Sequence, residues 1–355
     1  MIGPATLRDF WTLRRKPRNL VLLYNETMFA KPHRWFWYAA RCLVEGGGKD
    51  GTTLIYRERG MRALAQSVGR HGRPEQDIVT LAAYGGGHGH PTDRDAWFRL
   101  LEALCIRAGQ YRVQRLYAAL SQRHEDLREM FRQLGFVNYG NQIVLRLEGP
   151  DWDQGTTLAA MRPQMRRDDL AIHKLYGSVT PRMVQEAEAR NPLAWRISRT
   201  ARRRPRVRGW VIGEEDDLVA YLRITSGPAA YIMTLLIRPE DREYTADIVR
   251  FGLGQVHDAQ SVLLVLRDYQ QELLLPVSDL GFQPIGEQAL LCKHTTVTAR
   301  RAMLVPALEP SLEPRVPIPT ISFGEDAQRY VRTTRDYQQY RSIIGDTAPP
   351  HSRGD

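Results

Sequence analysis

One passage occurs twice in this chain of 355 residues, and it limits the possible folds more than any other feature. Leu134-Gly135-Phe136 with Gly140, Gln142 and Leu145 returns as Leu280-Gly281-Phe282 with Gly286, Gln288 and Leu291, at the same relative spacing. The register continues upstream without a gap, matching Leu120 with Leu266 and Leu127 with Leu273. Self-similarity over a domain-sized period points to two copies of one supersecondary unit.

Each copy reads as strand, helix, strand. The first has a strand over 115–120, a helix over 125–134 closing on Gly135, and a strand over 138–147. The second has a strand over 261–266, a helix over 270–280 closing on Gly281, and a strand over 285–294. A Gly directly after the last apolar helical position supplies the left-handed stop, and the Phe after it can fold back on the helix.

The segments before each copy also run in parallel order. In the first half, 20–24 reads as a short strand and 32–44, with Trp35, Phe36, Trp37 and Tyr38, as a helix in core or interface. Strands follow at 52–56, 61–68 and 77–84, the first two joined by a turn at Glu58-Arg59-Gly60. Residues 93–108 then form an amphipathic helix, with Trp97, Leu100, Leu101, Leu104 and Cys105 on one face and Thr92 or Asp93 as its cap. In the second half a strand opens at 158–161, helices lie at 167–176 and 181–190, strands at 209–212, 218–224 and 230–237, and a helix at 240–257. The predicted fold class is α/β: two consecutive domains, 18–150 and 156–298, each a mixed central sheet flanked by helices.

The ends differ in kind. Residues 1–18 read as a basic arm. Pro306, Pro310, Pro314, Pro317 and Pro319 make 300–324 an extended linker, and 325–344 reads as an amphipathic helix with Tyr330, Tyr337, Tyr340 and Ile344 on one face. That stripe can dock on the chain's own domains or on a partner.

Composition narrows the setting. No apolar run is long enough for a membrane span and the N-terminus lacks the order of a secretory signal, so the expectation is a cytoplasmic protein with no membrane partner. Cys42, Cys105 and Cys292 lack metal-ligand spacing and fit a reducing compartment. The net charge of +10 is concentrated, since Arg196, Arg199, Arg202, Arg203, Arg204, Arg206 and Arg208 lie together with no acidic residue among them. That loop could neutralise RNA phosphates, engage an acidic protein or be a disordered insertion, and it lacks the interleaved aromatics of a single-strand binder.

With this element order and its two "LGF" motifs, the chain resembles the GNAT superfamily of acyl-CoA-dependent N-acyltransferases, in tandem, over about residues 18–150 and 156–298. The resemblance implies acetyl-CoA or another acyl-CoA as cofactor and a small-molecule or protein amine as acceptor. It places the cofactor where the fourth and fifth strands of one half part, with its phosphates at the next helix N-terminus. The family carries Gln or Arg there, then a Gly-x-Gly pattern. In the second half Arg242 matches the leading Arg, and the cradle would be Arg242, Glu243, Tyr244 and Thr245. Glu243, Thr245 and Asp247 stand where glycine is expected. In the first half the cradle would be Gly86, Gly87 and Gly89, without the Gln or Arg and with Pro91 removing a donor. The glycine run is equally readable as a connection that needs positive φ. His88 and His90 lack a third metal ligand, so no metal is expected.

Catalytic side chains are not identifiable. The position where many family members carry a Tyr acid holds Phe131 in one half and Val277 in the other, and residues 232–237 contain no carboxylate or histidine to act as base. Three functions are compatible with these residues: acyl transfer from acyl-CoA to an amine, a catalytically degenerate pair that binds a ligand or partner, and an aminoacyl-tRNA-dependent transferase.

Overall fold

The computed structural model describes residues 1–295 except 46, 59, 71, 86–91, 150–159, 198–205, 215, 216 and 257–259. The expected linker at 300–324 and helix at 325–344 lie outside the described residues.

The first half comprises strands β1 (Ile2–Pro4), β2 (Asn19–Leu22), β3 (Gly51–Glu58), β4 (Met61–Gly69), β5 (Glu75–Gly85), β6 (Arg115–Ser121) and β7 (Val137–Leu147). Its helices are α1 (Phe10–Leu13), α2 (Glu26–Ala30), α3 (Trp35–Glu45), α4 (Asp93–Gln110) and α5 (Glu125–Gln133). The second half comprises β8 (Met161–Pro163), β9 (Arg206–Glu214), β10 (Asp217–Ser226), β11 (Tyr231–Ile237), β12 (Val262–Arg267) and β13 (Gln283–His294), with α6 (Asp168–Val179), α7 (Arg182–Glu188), α8 (Thr245–Gly254) and α9 (Leu274–Ser278).

The local rules of the repeat hold. Gly135 and Gly281 have φ of +81° and +88°, as a left-handed helix stop requires. Phe136 turns back to meet Phe131 edge-on at 4.8 Å between ring centroids. Thr92 caps α4 through a capping box, accepting from the Asp95 amide at 3.2 Å while Asp95 accepts from Thr92 in return.

The sheet departs from two self-contained units. All strands but β2 lie on one path, in the order β1-β3-β4-β5-β6-β13-β7-β12-β11-β10-β9-β8. Strand β13, the last of the second half, lies between β6 and β7; β7, the last of the first half, lies between β13 and β12. Each half is completed by the other's final strand, so the hydrogen-bonded ladder runs unbroken across the sequence boundary near 149–155.

Three further differences have local causes. Residues 1–18 are not a free arm: β1 pairs antiparallel with β3, and Asp9 anchors the following turn by accepting from Arg57 at 2.9 and 2.5 Å. The helix expected from 240 begins only at Thr245. Pro239–Tyr244 is a 3-10 segment with Asp241 at φ −110°, because Pro239 withholds a donor and starts a tighter turn. The helix expected over 270–280 is likewise a 3-10 segment, Asp268–Leu273, bent at Gln270 and followed by the short α9.

Period-two alternation sorts the second half's strands into two faces. Leu222 and Ile224 of β10, Met233, Leu235 and Ile237 of β11, and Leu264 and Leu266 of β12 pack in one core with Ile248, Val249 and Phe251 of α8. The alternate residues Tyr221, Leu236, Ile232, Leu263 and Val265 face α6 or α2 instead. The candidate site lies on this second face.

Candidate functional site

Each half contains one parallel strand pair, and in each the pair stays together for only three residues. Strand β5 meets β6 at Glu75, Gln76 and Asp77; β11 meets β12 at Tyr231, Ile232 and Met233. Beyond those rungs the strands part, leaving one edge of β5 and of β11 without its neighbour.

The two clefts have different fates. In the first, β2 pairs antiparallel with β5, from Asn19 opposite Ala83 to Leu22 opposite Thr80. Because β4 occupies the other edge of β5 along its length, β2 takes the edge that β6 has left. The Leu23 amide donates to the Val79 carbonyl at 2.9 Å and the Arg18 amide to the Ala83 carbonyl at 2.8 Å, closing the ladder at both ends. In the second cleft no described strand follows β11 past Met233, and the Leu235 carbonyl accepts from a side chain, Gln270 Nε2, at 2.8 Å.

Beside this second cleft is a cavity of about 200 Å³. Its floor is the sheet face bearing Arg223, Thr225, Thr234 and Arg267, and its walls include Tyr176, Trp195, Tyr221 and Tyr269. Glu26 of α2 also lines it, so the first half contributes a carboxylate. Helix α2 is held there by the Ala229 amide, which donates to the Ala30 carbonyl at 3.1 Å, and by the absence of a side chain at Gly227, where a Cβ would fall 2.1 Å from that carbonyl.

Glu188 organises the charges. It is 4% exposed and its oxygens accept from Arg267 at 2.9 Å, Arg190 at 2.7 Å and the Tyr176 hydroxyl at 3.0 Å. Burial pushes its carboxyl up, but Arg190 and Arg267 outweigh burial and hold it down to about 2. A carboxylate so fully engaged is a poor proton acceptor. The turn that presents it is fixed by Ala189, a left-handed cap at φ +42°, and by Arg73 of the first half, which donates to the Glu188 carbonyl at 2.5 Å. Arg267 also reaches Glu26 at 3.3 Å, while its Nη1 is buried without an acceptor. Arg223 makes no hydrogen bond or ion pair with any described residue.

The expected phosphate cradle has the wrong charge. Around the start of α8, Arg242 is tied to Glu272, Arg238 to Asp217 and Arg250 to Asp247 at 2.9 Å. Glu240, Asp241 and Glu243 add further carboxylates. Tyr244 is 44% exposed, and Thr245 is fully buried with its hydroxyl donating to the Arg242 carbonyl at 2.5 Å. The structure therefore places Arg242, Glu243, Tyr244 and Thr245 together at a helix start, as expected, but without a free cation or glycine there to admit a pyrophosphate. Gly86, Gly87 and Gly89, with His88 and His90, lie outside the described residues, and the strand edge leading to them is covered by β2.

Phe131 and Val277 are both fully buried core residues, so neither half offers a hydroxyl at that position. Among the described residues no group of three or more His, Cys, Asp or Glu could hold a metal. No helix among them is long and apolar enough to cross a membrane. Of the arginine loop, Arg196 pairs with Asp169 at 3.3 Å and Arg208 with the Gln255 carbonyl, while Arg199, Arg202, Arg203 and Arg204 lie outside the described residues. The Glu188 network escaped the sequence reading because Glu26, Glu188 and Arg267 are far apart in the chain and belong to no motif.

The resemblance of the chain to a tandem GNAT acyltransferase-like fold rests on the strand order, the parting parallel pairs and the helix after each. No family model matches the sequence, and no curated protein matches it. Solved structures similar to it include a tandem GNAT protein from the clavulanic acid biosynthesis pathway, 13% identical over 84% of this chain and 99% of that one, with a TM-score of 0.44. A functionally unknown conserved protein from Staphylococcus epidermidis is 14% identical over 70% of this chain and 96% of that one, with a TM-score of 0.44. A GCN5-related N-acetyltransferase from Sphaerobacter thermophilus is 12% identical over 73% and 86%, with a TM-score of 0.43.

Proposed function

We propose that this chain is a catalytically degenerate tandem GNAT-fold protein that binds a small polar ligand in its second half. One contrast carries the reading: the second half holds a densely charged cavity on one face of its sheet, while the acidic start of α8, which packs on the other face, would repel the phosphates of coenzyme A. The covered first cleft and the fully engaged Glu188 agree with it.

Isothermal titration of the full chain with acetyl-CoA and with coenzyme A tests it. The expected result is no binding in the micromolar range by either. Micromolar binding lost in Arg242→Glu would overturn the reading and restore acyl transfer from acyl-CoA to an amine at the second cleft. That second reading is favoured by the open edge of β11 past Met233, along which an extended arm could pair.

A further inference from the structure

We infer that the ligand of the second-half cavity is a small organic carboxylate, bound through Arg223. This rests on the reading of the second half as ligand-binding and names the chemistry of that ligand.

The first support is charge. Three guanidinium groups, Arg190, Arg223 and Arg267, line the cavity against two carboxylates, Glu26 and Glu188. The site is one negative charge short of balance. The carboxylates are already used, since Glu188 pairs with Arg190 and Arg267 and Glu26 with Arg267. Arg223 is left without a counter-ion.

The second is position. Arg223 lies on β10 between Tyr221 and Thr225 on the cavity face, and its register partner on β11 is Thr234, the first residue past the parting of the strands. A guanidinium matches a carboxylate with two parallel N–H···O bonds. The hydroxyls of Thr225 and Thr234, which also line the cavity, are further donors within the same patch.

The third is size and wall chemistry. At about 200 Å³ the cavity has room for roughly six or seven waters, at about 30 Å³ each, or for a molecule of a few carbons. Ile232, Leu236 and Val265 give it an aliphatic side that a carbon skeleton can cover and a bare inorganic anion cannot.

Thermal shift and isothermal titration of the full chain with butyrate, succinate and glutarate test the assignment, with inorganic phosphate and cadaverine as contrasting probes. Arg223→Gln should change the unliganded melting temperature little, since Arg223 makes no hydrogen bond or ion pair with a described residue. We expect saturable binding of at least one carboxylate, weakened at least tenfold in Arg223→Gln and less in Arg223→Lys, which keeps the charge but loses the fork. Carboxylate binding that survives Arg223→Gln overturns the assignment, as does phosphate binding without carboxylate binding. Cadaverine binding that is lost in Glu26→Gln, with no carboxylate bound, would keep the cavity as a ligand site and refute the carboxylate. If no probe binds, the carboxylate and the ligand-binding reading fall together.

Discussion

Gln142 and Gln288 hold the same place in the two repeats and also face each other in the sheet: they are register partners in the β7–β13 ladder, and Gln142 Nε2 donates to Gln288 Oε1 at 2.7 Å. The internal symmetry of the chain passes between them, yet this amide pair is not symmetric. Gln288 Nε2 donates onward to the Tyr24 carbonyl at 3.0 Å, while Gln142 Oε1 is buried without a partner. Gln288→Leu should cost about 1 to 3 kcal/mol, because it strands the buried Gln142 amide and the part-buried Tyr24 carbonyl. The double variant Gln142→Leu/Gln288→Leu should cost less than the sum of the single ones, as a double-mutant cycle in urea would show.

The exchange of β7 and β13 makes each half dependent on the other. Fragments 1–150 and 156–298 expressed separately should fail to give stable monomers, each leaving sheet edges without their hydrogen-bonding neighbour. Expressed together they should form a 1:1 complex with the circular dichroism of the intact chain. Light scattering on eluted species would check this; two independently folded monomers would refute the dependence.

Glu188 predicts an acid limb in the stability curve. Its folded value, about 2, lies below the ordinary 4.5. Its contribution is therefore complete above the unfolded pKa and is lost as pH falls from about 4.5 toward 2. The loss over that window should be on the order of 3 kcal/mol. Glu188→Gln should flatten the limb while lowering stability near neutrality by about 3 to 5 kcal/mol, since Arg190 and Arg267 lose their counter-ion. Urea midpoints from pH 2 to 7 would measure both.

Ala189 adopts φ +42° where glycine is the usual occupant. Ala189→Gly removes the clash of Cβ with the following carbonyl, a relief of about 1 kcal/mol that the added freedom of the unfolded chain partly cancels. The variant should be neutral or slightly more stable in thermal melts, and a marked loss of stability would contradict a strained cap.

If acidity is what closes the α8 start to phosphates, removing it should open it. Glu243→Gln with Glu272→Gln deletes two carboxylates, one of them the partner of Arg242. At roughly 0.5 to 1 kcal/mol each for surface charges, affinity for coenzyme A should rise by about tenfold in titrations run at low salt.

The sequence was most readable where structure depends on neighbours in the chain. Thr92 before an apolar stripe, and Gly135 and Gly281 after one, each depend on a few neighbouring residues and came out as expected. Pairing between distant strands is another matter. Residues 138–147 and 285–294 carry the same pattern because they are repeats, and nothing in either decides which half it completes. Residues 239–244 look helical by composition, and only the geometry imposed by Pro239 tightens them. The cavity was invisible for the same reason as the strand exchange: Glu26, Glu188, Arg223 and Arg267 meet only after α2 crosses onto the second half.

The position of β13 also sets a schedule for synthesis. Strand β6 has no neighbour on its β7 side until residues 283–294 have been made, so the first half cannot finish folding when its own last residue leaves the ribosome. At about 5 to 20 residues per second, it must wait roughly seven to thirty seconds with an open sheet edge. During that interval the nascent chain is a natural client for whatever shields unpaired strands, and slowing translation should lower its yield rather than raise it.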